Sequence, residues 1–485
     1  MRKETRSTWK NWAGNQTVTP ELSFWPDTRD DVVEIVREAE RKGLPVRAVG
    51  SGHSWSDVAW TEGCLVYPQG LTRILDIDAY QLRAVLPVPK RHLVQVESGI
   101  TIRALNAALH LRGLALINLG GYDGQTICGV TSTSTHGSGI DFLPLCDFIR
   151  SMEIVASGGK VWRIEPSVKS GQSITDPDAF AAAFPNRETH ELVQDDDWFH
   201  AAMVGMGCLG IIYSVVLEVR DKFLLKETRE LTTWREAKKI LSGERIRLTR
   251  EHFELLLNPY RVDGDNRCLI TRRVETDVPG DRERSIYIKY KAVLDVSAWW
   301  VRLLSTIWPS KIKNTLDSAI EALVDDDFTD QSFKVFHIGD ANDIRVLSAE
   351  YAVPVDGDTW IAAVDSLMET AERVARERKQ YLTVPVAVRF VKGTRALLSP
   401  MHGRDTCMLE VIGLRDVKPT ESILKDVEQA LHAHDVRPHW GQVNHITPER
   451  LRAMYPDSLP RWQAVHVRMN ARRTFTGPFT RRVGL

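Results

Sequence analysis

Between Asp30 and Lys42 the apolar positions fall at Val32, Val33, Ile35, Val36 and Ala39, a helical spacing that Gly43 and Pro45 end before the apolar run 46–49. The pattern predicts a helix feeding a short strand. Residues 65–67, 74–77 and 93–97 read as further strands, and Gly99 precedes a helix over 101–112 whose apolar face is Ile102, Leu105, Ala108 and Leu109, with Thr101 as N-cap. Residues 151–156 and 161–164 form a strand pair joined through Ser157-Gly-Gly159, a hairpin signal. The stretch 166–194 is polar, carries Pro166, Pro177 and Pro185, and has little periodicity, so a long loop and candidate lid is expected there. From Asp197 a helix, a glycine turn and a buried strand ending near Arg220 follow.

Beyond Phe223 the pattern turns β-rich, with strands expected at 253–257, 268–274, 335–338, 347–354, 384–390 and 407–412. Helices over 359–379 and 420–433 are expected to cover that sheet. Trp299, Trp300, Leu303, Leu304, Ile307 and Trp308 make an aromatic amphipathic patch, read as core packing or an oligomer contact rather than a membrane surface, because Lys311 and Lys313 are too few for a polybasic anchor. A homo-oligomer is thereby left open.

Two stretches carry candidate chemistry. In Val46-Arg-Ala-Val-Gly-Ser-Gly-His-Ser-Trp-Ser-Asp57 an apolar run ends in two glycines, three serines and one histidine. Gly50 and Gly52 at φ > 0 would turn successive N–H groups into a nest suited to a pyrophosphate; the plain alternative is a Gly/Ser turn with a solvated histidine. Residues 119–139 pack six glycines and seven Ser/Thr between an apolar run and a strand-like segment, as a backbone lying against a ligand requires.

Composition narrows the class. With 485 residues, a formal net charge of −1 and 26% charged residues, the chain suits a globular protein of two or three domains, and its near-neutral balance offers no case for nucleic acid. No run of about 18 apolar residues argues for a membrane span, and the polar start lacks a secretory core. The six cysteines show no CxxC spacing, so neither metal nor disulfide framework is expected and a reducing cytoplasm is the default.

The two loops, together with Asn11-Trp-Ala-Gly14, Gly207-Cys-Leu-Gly-Ile211, Arg437-Pro-His-Trp-Gly441 and the tail 475–485, resemble the aldonolactone oxidase and polyol (alditol) oxidase family of vanillyl-alcohol-oxidase-type (PCMH-type) FAD flavoproteins. The resemblance implies an α+β fold: a two-subdomain FAD-binding domain over 15–222, a substrate domain over 223–418 with a large antiparallel sheet flanked by helices, and a segment 419–485 returning His-Trp-Gly to the flavin. It implies FAD joined covalently to His53, with Gly50, Ser51, Gly52, Ser54, Gly120, Gly121, Gly129, Ser132, Thr133, Thr135, His136, Gly137, Gly210 and Ile211 around the cofactor. No GxGxxG follows a strand, which disfavours a nicotinamide Rossmann domain.

Alcohol oxidation of this kind needs a hydride acceptor, a group that takes the hydroxyl proton, and positive charge near the flavin N1–C2=O edge. In the family the last two come from a Glu-x-Arg pair and from a lysine after His-Trp-Gly or His-Trp-Ala. Here Arg389 matches the arginine, Ala387 stands where the glutamate belongs, and Gln442 holds the lysine position. Glu350 is a candidate second carboxylate or an arginine partner, His439 follows the rigid turn Asp435-Val-Arg-Pro438, and His136 has a structural or proton-transfer role at the cofactor loop. The first reading is an oxidase or dehydrogenase of a CH–OH group in a sugar-like, polyol or lactone substrate, with O2 or another acceptor reoxidising the flavin. The alternatives are an oxygenating or rearranging flavoenzyme acting on a non-sugar substrate, and a degenerate flavoprotein keeping FAD for structure.

Overall fold

The computed structural model describes all residues except 78–80, 244–245, 247–250, 281–300, 325–326 and 338–343. Three sheets carry the architecture, which is α+β as the sequence predicts. The first is four-stranded, ordered Arg2–Thr5, Leu22–Trp25, Cys64–Val66 and Val46–Ala48. Against it packs the helix Arg29–Lys42, fixed by a Thr28/Asp31 capping box at one end and Gly43 at φ 66° at the other, with Val32, Ile35, Val36 and Ala39 fully buried. The terminal strand Arg2–Thr5 was not legible in a sequence reading as charged and polar throughout.

The second sheet is six-stranded, in the order His190–Gln194, Val161–Glu165, Ile149–Val155, Ile211–Glu218, Leu93–Glu97, Ile74–Leu75. The hairpin through 157–159 forms as expected, pairing Val155 with Val161. Residues 166–194 depart from the expected lid. They hold a helix Pro177–Ala183, capped by Asp176 with Pro177 in its first turn, and a strand that extends the sheet parallel to Val161–Glu165. The Glu165 carboxylate, fully buried, ties the segment down by accepting from the N–H groups of Ile174 at 3.0 Å and Thr175 at 2.9 Å.

The third sheet has eight antiparallel strands, ordered Phe328–Gln331, Leu224–Thr233, Asp265–Thr276, His252–Val262, Val386–Val391, Thr406–Leu414, Val346–Pro354, Arg437–Pro438. Period-two alternation sorts its faces. Phe253, Leu255 and Leu257, then Val388 and Phe390, then Leu409 and Val411, then Tyr351 and Val353 pack against the helices Trp234–Leu241, Thr359–Arg378 and Thr420–Leu431. Each such side chain contributes roughly 1.5–3 kcal/mol of burial, which fixes which face looks the other way. Where a strand is expected at 335–338, Val335 and Phe336 instead end a helix, Ser332–Phe336, buried against the second sheet's core; residue 338 lies outside the described residues.

Within the aromatic patch, Trp299 and Trp300 lie outside the described residues, Leu304 packs on the sheet–helix core, and Ile307 and Trp308 are exposed. Among the described residues no helix is long and apolar enough to cross a membrane.

Candidate active site

One cavity of about 540 Å³ runs from the two glycine-rich loops to the free face of the eight-stranded sheet, and every residue picked from the sequence as cofactor-binding or catalytic lines it. At the loop end the walls are backbone. The first loop is pinned from three sides: Asn11 Nδ2 donates to the Ser54 carbonyl at 2.9 Å, Trp12 N–H donates to Gly52 at 2.8 Å, and Trp55 N–H donates to Gly441 at 2.7 Å. Ser56 Oγ adds a 2.6 Å bond to the Trp440 carbonyl. The motifs at 11–14, 50–54 and 437–441 thus meet in one contact.

The glycines earn their places in different ways. Of the nest pair only Gly52 has a positive φ, 70°; Gly50 does not, which corrects the expectation for it. What Gly50 needs is clearance, since a Cβ there would meet Thr126 Oγ1 at 2.2 Å. Gly137 is equally crowded, its Cβ position lying 2.2 Å from Asn118 Oδ1 and 2.5 Å from the Leu119 carbonyl oxygen. His53 lies between two rings, stacked on Trp12 at 4.7 Å and tilted against Tyr122 at 4.3 Å. Burial holds this imidazole well down, at about 4, so it is neutral at pH 7, and its buried Nε2 has no hydrogen-bond partner among the described residues.

At the sheet end the walls are charged side chains of both signs. Crossing the sheet, Glu227, Arg273, Glu254, Arg389, Glu410 and Glu350 form a connected row. Arg273 donates to Glu227 and to Glu254, both at 2.8 Å; Arg389 Nε is 3.4 Å from Glu254 and its Nη1 donates to Glu410 at 2.7 Å. Glu350 stands 3.7 Å from Arg389 and 3.2 Å from His136 Nε2. Burial raises the Glu254 carboxyl, but Arg273 and Arg389 overcome it and bring it to about 2. Glu350 is likewise held below its usual range, burial being outweighed by His136, His439 and Arg389. Burial alone would lower the Arg389 guanidinium; Glu410, Glu254 and Glu350 raise it instead, so it is permanently charged.

Arg389 is therefore a cation shared among three carboxylates. Glu410 was missed in the sequence, and it changes the account of the missing carboxylate. Ala387 and Glu410 are cross-strand partners, so the glutamate faces the cavity from directly opposite the alanine, where Ser348 Oγ also donates to it at 3.1 Å. A lone Glu within Met408-Leu-Glu-Val-Ile412 is the only sequence signal for it.

Three histidines button the loop end to the sheet end through the segment 134–138. His136 Nδ1 is 2.8 Å from the Gly137 carbonyl, His252 Nδ1 is 3.0 Å from that of Ser138, and His439 bonds that of Ser134. His439 Nδ1 also accepts from Gly441 N–H at 3.1 Å, and burial lowers the ring to about 4; it is a neutral, backbone-held group. Gln442 is buried beside it, its Oε1 without a partner among the described residues.

Comparison with known proteins bears on this geometry. The sequence profile of the D-arabinono-1,4-lactone oxidase family matches residues 215–483, and that of an FAD binding domain matches residues 20–165. An L-gulono-1,4-lactone dehydrogenase of Mycobacterium tuberculosis is 29% identical over 480 residues, 98% of each chain. An L-gulonolactone oxidase of Mus musculus is 26% identical over 92% of this chain and 91% of its own, and an alditol oxidase of a Streptomyces species is 24% identical over 97% of both. Among solved structures a solvent-stable cholesterol oxidase superposes with a TM-score of 0.75, covering 100% of this chain and 98% of its own; at 17% identity that likeness concerns the fold alone.

Proposed function

The chain belongs to the D-arabinono-1,4-lactone oxidase family, and from that premise we propose an FAD-dependent oxidoreductase of CH–OH groups, holding its cofactor covalently through His53. Its residues fit FAD on their own evidence. Gly50 and Gly137 keep the loop end free of Cβ atoms, and two buried polar atoms, His53 Nε2 and Gln442 Oε1, lack partners among the described residues. When bound, FAD supplies the hydride acceptor at flavin N5. A neutral imidazole is the form whose ring nitrogen can bond to carbon, and burial keeps His53 in that form at neutral pH.

The single observation carrying the chemistry is the register of Ala387 with Glu410. Glu410 is the carboxylate proposed to hold and accept the hydroxyl proton of the substrate. Arg389 acts through it, fixing its orientation, while Gln442 offers a neutral amide where relatives of this family type carry a lysine. That exchange gives up about 1–2 kcal/mol of anion stabilisation, the difference between charge-assisted and neutral hydrogen bonds. With a carboxylate present on the same face, the main ground for an oxygenating or rearranging reaction falls away. The proposed domain boundaries fall at residues 222 and 418, and the segment 419–485 adds the strand Arg437–Pro438 to the substrate domain's sheet.

Anaerobic mixing with polyols and aldonolactones tests this reading. Bleaching of the flavin band with at least one of them is expected; an unbleached flavin with every alcohol would favour a flavoprotein that keeps FAD only for structure. For the attachment, a denaturing gel of purified protein should show an acid-fluorescent band that His53→Ala removes. Complete release of flavin from the wild type on denaturation would refute the covalent link and leave the fold untouched.

A further inference from the structure

Asn11 and Trp12 fasten the main chain on both sides of His53: Asn11 Nδ2 donates to the Ser54 carbonyl at 2.9 Å, and the Trp12 N–H donates to that of Gly52 at 2.8 Å. The Trp12 indole therefore starts from a fixed point. It lies on the His53 imidazole nearly parallel, with 18° between the planes and 4.7 Å between the centroids. Tyr122, from the second glycine-rich loop, meets the imidazole at 4.3 Å but tilted by 48°. Trp55 stands edge-on to both rings, 6.2 Å from the indole and 6.5 Å from the imidazole, and its own Nε1 donates to the Val346 carbonyl of the eight-stranded sheet at 2.7 Å. Of these three rings only Trp12 offers His53 a flat face.

We infer that Trp12 is the positioning residue for flavin attachment, its indole face holding the His53 imidazole in the plane from which a ring nitrogen reaches the cofactor. The inference rests on the proposed covalent link and names the residue that lets it form. In that step the His53 nitrogen bearing the lone pair bonds to the carbon of the flavin's 8-methyl group. The imidazole N–H and one methyl C–H leave as protons, the C–H electron pair passes to the flavin, and dioxygen takes up that pair with both protons as hydrogen peroxide. Forming such a bond needs the reacting atoms about 3–3.5 Å apart and aligned. A half-buried imidazole left to itself divides its time among several rotamers, whereas one stacked on a fixed indole keeps a single plane.

Purified holoenzymes carrying Trp12→Phe and Trp12→Leu separate orientation from bulk, because phenylalanine keeps a flat face and leucine keeps apolar volume without one. Total flavin is read from the absorbance of the native protein, and attached flavin from the part that stays with the chain after acid precipitation. Wild type and Trp12→Phe should hold nearly all of their flavin covalently. Trp12→Leu should bind a full complement of FAD yet leave most of it extractable, with a ratio of attached to free flavin at least tenfold below that of Trp12→Phe. Equal attachment in the two variants, high or low, would overturn the inference. So would loss of all flavin from Trp12→Leu, which would make Trp12 a residue of folding rather than of orientation. A wild-type enzyme that releases its flavin on denaturation would sink the covalent link itself; flavin attached in every variant would leave that link standing and the role of Trp12 refuted.

Discussion

At the loop end of the cavity the ligand-facing surface is main chain, crowded so closely that Gly50 and Gly137 have no room for a Cβ. At the sheet end it is side chain, one or two ionised groups per strand, each held by its neighbour on the next strand. A backbone wall is specified by a contiguous run of residues and tolerates almost no substitution. A cross-strand wall is specified by register, so a group can move from one strand to the next and still face the same point. Under the proposed mechanism, Glu410 standing opposite Ala387 is such a relocation, letting the chemistry persist where the linear motif is broken.

The contrast predicts unequal consequences. Gly137→Val should abolish flavin content, because the new side chain would collide with the Asn118 amide and the Leu119 carbonyl. Gly52→Ala meets no atom nearer than 3.8 Å and bears only the cost of a left-handed backbone, about 1–2 kcal/mol, so it should keep its flavin. Flavin absorbance per mole of purified protein reads both. Normal loading of Gly137→Val would mean that the loop end is not built from backbone as described.

At the sheet end the expected loss is kinetic, with flavin retained. Arg389→Ala leaves Glu410 and Glu254 facing each other without their shared cation and should slow flavin reduction on the order of a hundredfold or more, the scale of losing one preorganised electrostatic group. Arg389→Lys should recover part of the rate, since a positioning role needs the charge more than the fork. Moving the carboxylate, as Ala387→Glu with Glu410→Ala, should also restore activity relative to Glu410→Ala alone. Stopped-flow rates equal to wild type in Arg389→Ala would remove the residue from the site's machinery.

What could be read from the sequence follows the same divide. The loops, their spacing and the helix Arg29–Lys42 were legible because each is encoded by adjacent residues: an apolar period, a cap, a glycine cluster. Glu254, Arg273 and Glu410 were not, since a single charge inside an apolar strand announces a polar face without saying what lies across from it. The segment 166–194 misled for a local reason. Its prolines read as breaks, yet Pro177 occupies the one helical turn that needs no N–H, and the anchor that orders the segment, Glu165, precedes it in the neighbouring strand. At 335–338 a short apolar run could be strand or helix by periodicity alone, and packing of Val335 and Phe336 beneath the second sheet's core goes with the helix Ser332–Phe336.

The seam between the two ends gives the smallest effect, one of stability against pH. His252 and His439 are both lowered to about 4, chiefly by burial, from an ordinary value of 6.5. With the folded value below the unfolded one, the unfolded chain binds more protons between them, so stability is complete above about 6.5 and is lost as the pH falls towards 4. Each histidine should forfeit on the order of 2 kcal/mol between pH 7 and pH 5. The carboxylates of the charged row act elsewhere: Glu254, lowered to about 2 from 4.5, contributes stability present above 4.5 and lost only as the pH falls through 2. The window from pH 7 to pH 5 therefore leaves out Glu254, and the seam shares it with His53 and His466, which burial also lowers to about 4. In it the Tm of the wild type should fall by several degrees, and His252→Gln, which can still donate to the Ser138 carbonyl but cannot charge, should cut that fall by about a quarter, being one of four histidines so lowered. A fall of the same size in His252→Gln would show that the acid-labile contact lies away from the junction of loop and sheet.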